Sequence, residues 1–145
     1  MHIYVDADAC PVTDLIWAWA RDRQLPLTLV CDNAHQISRE GARTITVDRG
    51  ADSADFVLVN LLAPGDLVIT QDYGLAAMCL GRGARVLDQD GREYTADNID
   101  SLLMARHLAR AHRRAGGRSR GPAKRRPEQD AAFAQGLEGL VTPHG

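Results

Sequence analysis

The sequence is short of several things. Its 145 residues hold no apolar run near the ~18 that span a bilayer, so no membrane-crossing helix is expected. The N-terminus carries no basic stretch leading into an apolar one, so secretion is not expected either. Only three cysteines occur, Cys10, Cys31 and Cys79, with no CxxC spacing. An odd, scattered set argues against a disulfide framework or a zinc site and points to reduced thiols in the cytoplasm. Lysine is nearly absent, Lys124 being the only one. Residues 106–145 contain one Phe, Tyr or Trp, Phe133, which speaks against a base-stacking platform for single strands. No internal repeat is present.

What remains is an ordinary globular composition, 45% hydrophobic and 25% charged, in a length that suits one compact domain with a real core. The net charge of -2 conceals an asymmetry. Residues 1–105 hold 16 Asp/Glu against 8 Lys/Arg, whereas residues 106–145 hold 3 against 9. An acidic body with a basic tail is not a solubility device alone and is directed toward an anionic partner.

Patterning divides the chain into alternating strands and helices. Residues 2–6 read as a buried strand, and 11–23 as a helix with Pro11 in its first turn. Ile16, Trp17 and Ala20 repeat at helical spacing, which places Trp17 on the apolar stripe and leaves Trp19 partly exposed. Further strands are expected at 25–30, 43–47, 66–70 and 85–87, with helices at 53–62 and 73–82 and Gly83 as a C-terminal cap. After an Asp90-Gly91 turn and the segment 92–95, Asp97 is the expected cap of a long helix reaching about 114. Strands that are nearly all apolar, alternating with helices, indicate a parallel sheet covered on both faces. This divides the chain into an α/β domain at 1–114, a basic Gly/Pro-rich linker at 115–127, and a short helix with a tail at 128–145.

The chemistry-bearing feature is a set of acids at strand ends. Asp6 and Asp8 lie two apart where the first strand runs out, so they project to the same side. Like charges at that spacing repel, and the pair makes best sense around a cation. Asp72 directly follows the apolar run 67–70, and Asp52 and Asp55 open a helix three residues apart. Sheets of this kind gather ligands at the C-terminal strand ends near a topological switch point, so Asp6, Asp8 and Asp72, which fall at such ends, are expected to meet there. Oxygen-only donors favour Mg²⁺ or Mn²⁺ over zinc, and such ions support in-line phosphoryl displacement. The competing reading is that each Asp caps a helix or forms a turn; Asp52 is the best fit to it, and Asp8 is open to either use. Asn33 and His35 are either phosphate contacts or turn formers. Cys10 reads as a small buried thiol, because no partner His accompanies it by motif.

Four stretches together resemble one family: Asp6-Ala7-Asp8-Ala9-Cys10-Pro11, Gly50-Ala51-Asp52-Ser53-Ala54-Asp55, Thr70-Gln71-Asp72-Tyr73-Gly74-Leu75-Ala76 and Asn98-Ile99-Asp100. As a set they resemble the YaiI/YqxD family of small bacterial proteins over nearly the whole chain, including Gly121-Pro122. That resemblance implies a PIN-like, three-layer α/β fold with a basic C-terminal segment, and by analogy a metal-dependent nuclease. Carried over by position, Asp6, Asp55 and Asp72 match the PIN-type metal-binding acids, with Asp8 as an extra acid that orients the attacking water. Asn33, Asp52 and Thr70 would support them from behind. The further acid of the PIN pattern is missing after Asp72, where Tyr73-Gly74-Leu75 stands, and a slow enzyme is expected.

The basic segment supplies Arg106, Arg110, Arg113, Arg114, Arg118, Arg120, Lys124, Arg125 and Arg126. Arginine pairs bidentately with phosphate, so these residues read as contacts to a nucleic-acid backbone, RNA on the PIN analogy. The plainer alternative is a solvated helix face and linker that neutralise the acidic body. Two rival functions stand beside the nuclease. Val5-Asp6-Ala7-Asp8-Ala9 also resembles the first motif of haloacid-dehalogenase-type phosphatases, with Asp6 as nucleophile, but the later lysine of that pattern has no counterpart. The other is a nucleic-acid-binding protein without catalysis.

Overall fold

The computed structural model describes residues 1–8, 10–32, 37–48, 53–114 and 124–141, with the backbone alone at 53–55, 113–114 and 141. Six strands form one sheet in the order β3-β2-β1-β4-β5-β6. The strands are β1 (Ile3–Asp6), β2 (Leu27–Asp32), β3 (Arg43–Val47), β4 (Leu67–Ile69), β5 (Arg85–Leu87) and β6 (Glu93–Tyr94). All neighbours are parallel except β5 and β6, which run antiparallel. The helices are α1 (Thr13–Asp22), α2 (Ser53–Leu61), α3 (Tyr73–Gly81), α4 (Ala96–Arg114) and α5 (Pro127–Val141). Among the described residues, no helix is long and apolar enough to cross a membrane.

The strand residues alternate between two cores, which makes the fold a three-layer α/β sandwich. Ile3, Val5, Leu29 and Ile69 face one side, where Ile16 and Trp19 of α1 and Phe133 and Leu137 of α5 cover them. Tyr4, Val30, Val68 and Val86 face the other, under Leu58 of α2, Leu75 of α3 and Ile99 of α4. Strands buried on both faces are what an apolar run bounded by turns encodes. The chain builds outward from β1 through β2 to β3, then crosses back to place β4 on the other flank of β1. The gap between the C-terminal ends of β1 and β4 is therefore the switch point, where neighbouring loops diverge and leave a crevice.

Pro11 lies in the turn ahead of α1, whose N-cap is Val12, rather than in its first turn, and three further local expectations change. Trp19, read as partly exposed, is 7% exposed, while Trp17 is only half-buried. The reason is α5, which docks across α1: Trp19 Nε1 donates to Glu138 Oε1 at 2.9 Å, and Arg23 stacks on its ring while pairing with Glu138. Asp97 does not cap α4; Thr95 does. Its Oγ1 accepts from Asn98 N–H at 3.2 Å, and Asn98 Oδ1 accepts from Thr95 N–H at 3.0 Å, a reciprocal cap. Arg125, read as part of a loose linker, is fastened. Its guanidinium donates to Asp130, Asp90 and the Gln89 carbonyl at 2.7, 3.1 and 2.7 Å. It holds the start of α5 against the β5–β6 turn. That turn and α5 meet backbone to backbone: a Cβ on Gly136 would lie 2.5 Å from the Gly91 carbonyl oxygen, so no larger residue fits.

Candidate functional site

At the switch point Asp6, Asp8, Gln71, Asp72, Tyr73 and Arg106 line one open cleft of about 310 Å³. Asp6 closes β1, and its Oδ2 accepts a hydrogen bond from Thr70 Oγ1 at 2.9 Å. Thr70 is 2% exposed, and its oxygen accepts in turn from the Asp72 N–H at 3.0 Å. One buried hydroxyl thus joins the end of β1 to the loop leaving β4 and fixes Asp6 relative to Asp72. Asp8 reaches the other way. Its carboxylate accepts from the Asp32 N–H at 3.1 Å, tying the β1 extension to the end of β2 rather than capping α1.

Asp72 combines the two uses the sequence allows. It is the N-cap of α3: its Oδ1 accepts from Gly74 N–H at 2.8 Å and from Leu75 N–H at 3.2 Å, satisfying donors the helix leaves open. A Cβ on Gly74 would lie 3.3 Å from that oxygen, so glycine keeps the amide accessible to it. The same Oδ1 faces Arg106 Nη1 at 3.4 Å, both side chains being partly exposed. None of these bonds uses Oδ2. A carboxylate anchored by helix amides and flanked by one guanidinium is held rigidly at the cleft wall.

The cleft therefore brings together Asp6, Asp8, Asp72 and Arg106, with Thr70 behind them. Gln71 and Tyr73 also line it, and sequence reasoning passed over both. Gln71 carried no signal beyond its place between Thr70 and Asp72. Tyr73 looked like the first residue of a helix, and its ring meets Tyr94 edge-on at 5.8 Å. Burial pushes the Tyr94 phenol above its ordinary range, so it stays protonated. Burial likewise raises the Cys10 thiol, which is the opposite of what an activated thiolate nucleophile requires.

Asp55 belongs to α2, but its side chain lies outside the described residues, as do Asp52, Asn33 and His35 altogether. Among the described residues, no three His, Cys, Asp or Glu side chains group as metal ligands would. Of the basic residues, Arg106 reaches the cleft and Arg110 is exposed further along α4, which continues through Arg113 and Arg114. Lys124 and Arg126 line a separate depression at the start of α5, together with Glu128 and Gln129. Arg118 and Arg120 lie outside the described residues.

Residues 4–143 match the family described as "Uncharacterized BCR, YaiI/YqxD family". A UPF0178 protein of Exiguobacterium sibiricum is 51% identical over 142 residues, covering 98% of this chain and 97% of the relative. UPF0178 proteins of Ruminiclostridium cellulolyticum and Clostridium acetobutylicum are 47% and 45% identical, covering 99% and 97% of this chain and 94% and 97% of theirs. Similarity at that level, end to end, leaves one conclusion: the chain belongs to the YaiI/YqxD family of bacterial proteins.

Proposed function

We propose that the protein is a Mg²⁺- or Mn²⁺-dependent phosphodiesterase acting on nucleic acid, RNA by the PIN resemblance. The observation that carries this reading is the meeting of Asp6 and Asp72, distant in sequence, at neighbouring strand ends in one open cleft with a guanidinium beside them. The donor chemistry fits a hard cation: the acids of the cleft offer oxygen, and Mg²⁺ needs only one or two carboxylates besides water and phosphate. Asp6 and Asp72 would hold the ion, with Asp55 the third acid implied by the family resemblance. Such an ion polarises a phosphoryl oxygen and makes water a better nucleophile. Asp8 orients the attacking water, Thr70 keeps Asp6 in place, and Arg106 offsets charge on the phosphate.

The test is Asp6→Asn. The Asn carbonyl still accepts the Thr70 hydrogen bond, so the fold survives. Removing one charge from a crowded acidic site leaves the metal-free melting temperature level or higher. Calorimetric Mn²⁺ binding and Mn²⁺-stimulated cleavage of single-stranded RNA are both expected to vanish. Unchanged Mn²⁺ affinity would make Asp6 structural and remove the centre of the proposal.

A second reading draws on the Thr70 hydroxyl held 2.9 Å from Asp6. In a haloacid-dehalogenase-type phosphatase Asp6 attacks phosphorus and Asp8 acts as acid and base. Hydrolysis of para-nitrophenyl phosphate without nuclease activity, lost in Asp6→Asn, would select it. RNA binding with no metal-stimulated turnover would select the non-enzymatic alternative.

A further inference from the structure

α4 has two unlike halves. Up to Arg106 it packs beside α3 into the second core through Ile99, Leu102 and Leu103. From His107 to His112 every residue is exposed, so the helix leaves the body at the cleft. The last anchored residue, Arg106, is the one that touches Asp72 there. Counting from it at 100° per residue, position 110 lies 40° away and position 113 20° away on the other side, so both continue the line of Arg106. Both are arginine, and the next position, Arg114, lies 80° round from Arg106. Rise along the helix is about 6 Å per four residues, comparable to one unit of an extended nucleic-acid backbone. Arginine positions thus continue the line of Arg106 along the helix away from the acids.

We propose that the free end of α4 is a phosphate track that delivers an extended single strand into the cleft, so the preferred substrate carries single-stranded nucleotides to one side of the reacting phosphate. This inference rests on the phosphodiesterase reading for what happens at the end of the track. A cleft lined by Asp6, Asp8 and Asp72 repels a polyanion, and a cationic lead-in offsets that repulsion before the strand arrives. A protein partner would instead use the opposite face of the helix, where Met104 and Leu108 are 57% and 61% exposed.

The experiment is fluorescence anisotropy of labelled oligouridylates of increasing length across a salt series, in EDTA so that no turnover occurs. Wild type is compared with Arg110→Ser, with the triple variant R110S/R113S/R114S, and with the charge-preserving R110K/R113K/R114K. Each lost contact flattens the log-affinity slope by about 0.7, so the triple Ser variant should lose about 2 while the Lys variant keeps its slope. Affinity should rise with length and then level off, and circular dichroism checks that each variant is folded. Equal slopes for wild type and folded Ser variants overturn the track. So does loss of a dimer on Met104→Ser/Leu108→Ser with RNA binding unaffected by the arginines. An arginine-dependent slope with no Mn²⁺-stimulated cleavage keeps the track and overturns the phosphodiesterase; cleavage with unchanged slopes does the reverse.

Discussion

The basic segment meets two helices, the outer half of α4 and, just ahead of its first residue, α5, and its arginines are put to opposite uses at the two. α5 is sealed in. Phe133 and Leu137 are fully buried, Glu138 is clasped by Trp19 and Arg23, and Arg125 fastens its first turn to Asp90. α4 is fixed at its start by the Thr95–Asn98 cap and released at its end, with Arg106 at the cleft and Arg110 in solvent. Positive charge therefore has no single meaning here. An arginine facing several carboxylates and a carbonyl is a fastener, whereas one on a bare helix face is available to an outside anion.

The sharpest way to break this contrast is to empty the site under α5. Phe133→Ala should cost about 3–5 kcal/mol, because the ring is fully buried and its removal leaves a cavity between α5 and the sheet. Urea denaturation measures it; a cost below about 1 kcal/mol would mean that α5 docks only weakly.

Next in size is Arg125→Ser, expected to lower stability by about 1–2 kcal/mol, since three hydrogen bonds from a half-buried guanidinium are lost while the Asp90 and Asp130 carboxylates regain water. Arg110→Ser should stay within about 0.5 kcal/mol, since the side chain is exposed. If both variants melt alike, the distinction between fastener and free cation fails.

Thr95→Ala falls between Arg125→Ser and Arg110→Ser. Losing the cap should cost about 1 kcal/mol and fray the start of α4. Far-ultraviolet circular dichroism on melting reads the change, and a neutral result would move the anchoring of α4 to Ile99 alone.

Much of the architecture was legible because it is local. Alternation around Thr44 and Thr46 gives the strand at 43–47, and a short apolar run the strand at 85–87, both with the bounds observed, and Gly83, at φ +82°, sits where a C-terminal cap is expected. Acids at strand ends could be read in the same way, since Asp6 and Asp72 each follow an apolar run. Trp19 was misread because helical spacing sees only one helix, and the surface that buries it comes from α5. Arg125 was misread for the same reason: Asp90 is remote in sequence, and composition alone makes 115–127 look slack.

The alternation of strands and helices, the apolar faces, the separation of acid from base along the chain, and the carboxylates that end strands are all written locally in the residues. Those follow from periodicity and turn chemistry, which depend on near neighbours. Tertiary packing alone makes Asp6 and Asp72 share a wall through the Thr70 hydroxyl, sets Arg106 beside Asp72, and fastens Arg125 while leaving Arg110 in solvent. Each of these depends on strand order, β1 lying between β2 and β4, and on which helix lands on which face. Such choices are settled by the packing of the whole chain at once, and no local stretch of residues encodes them.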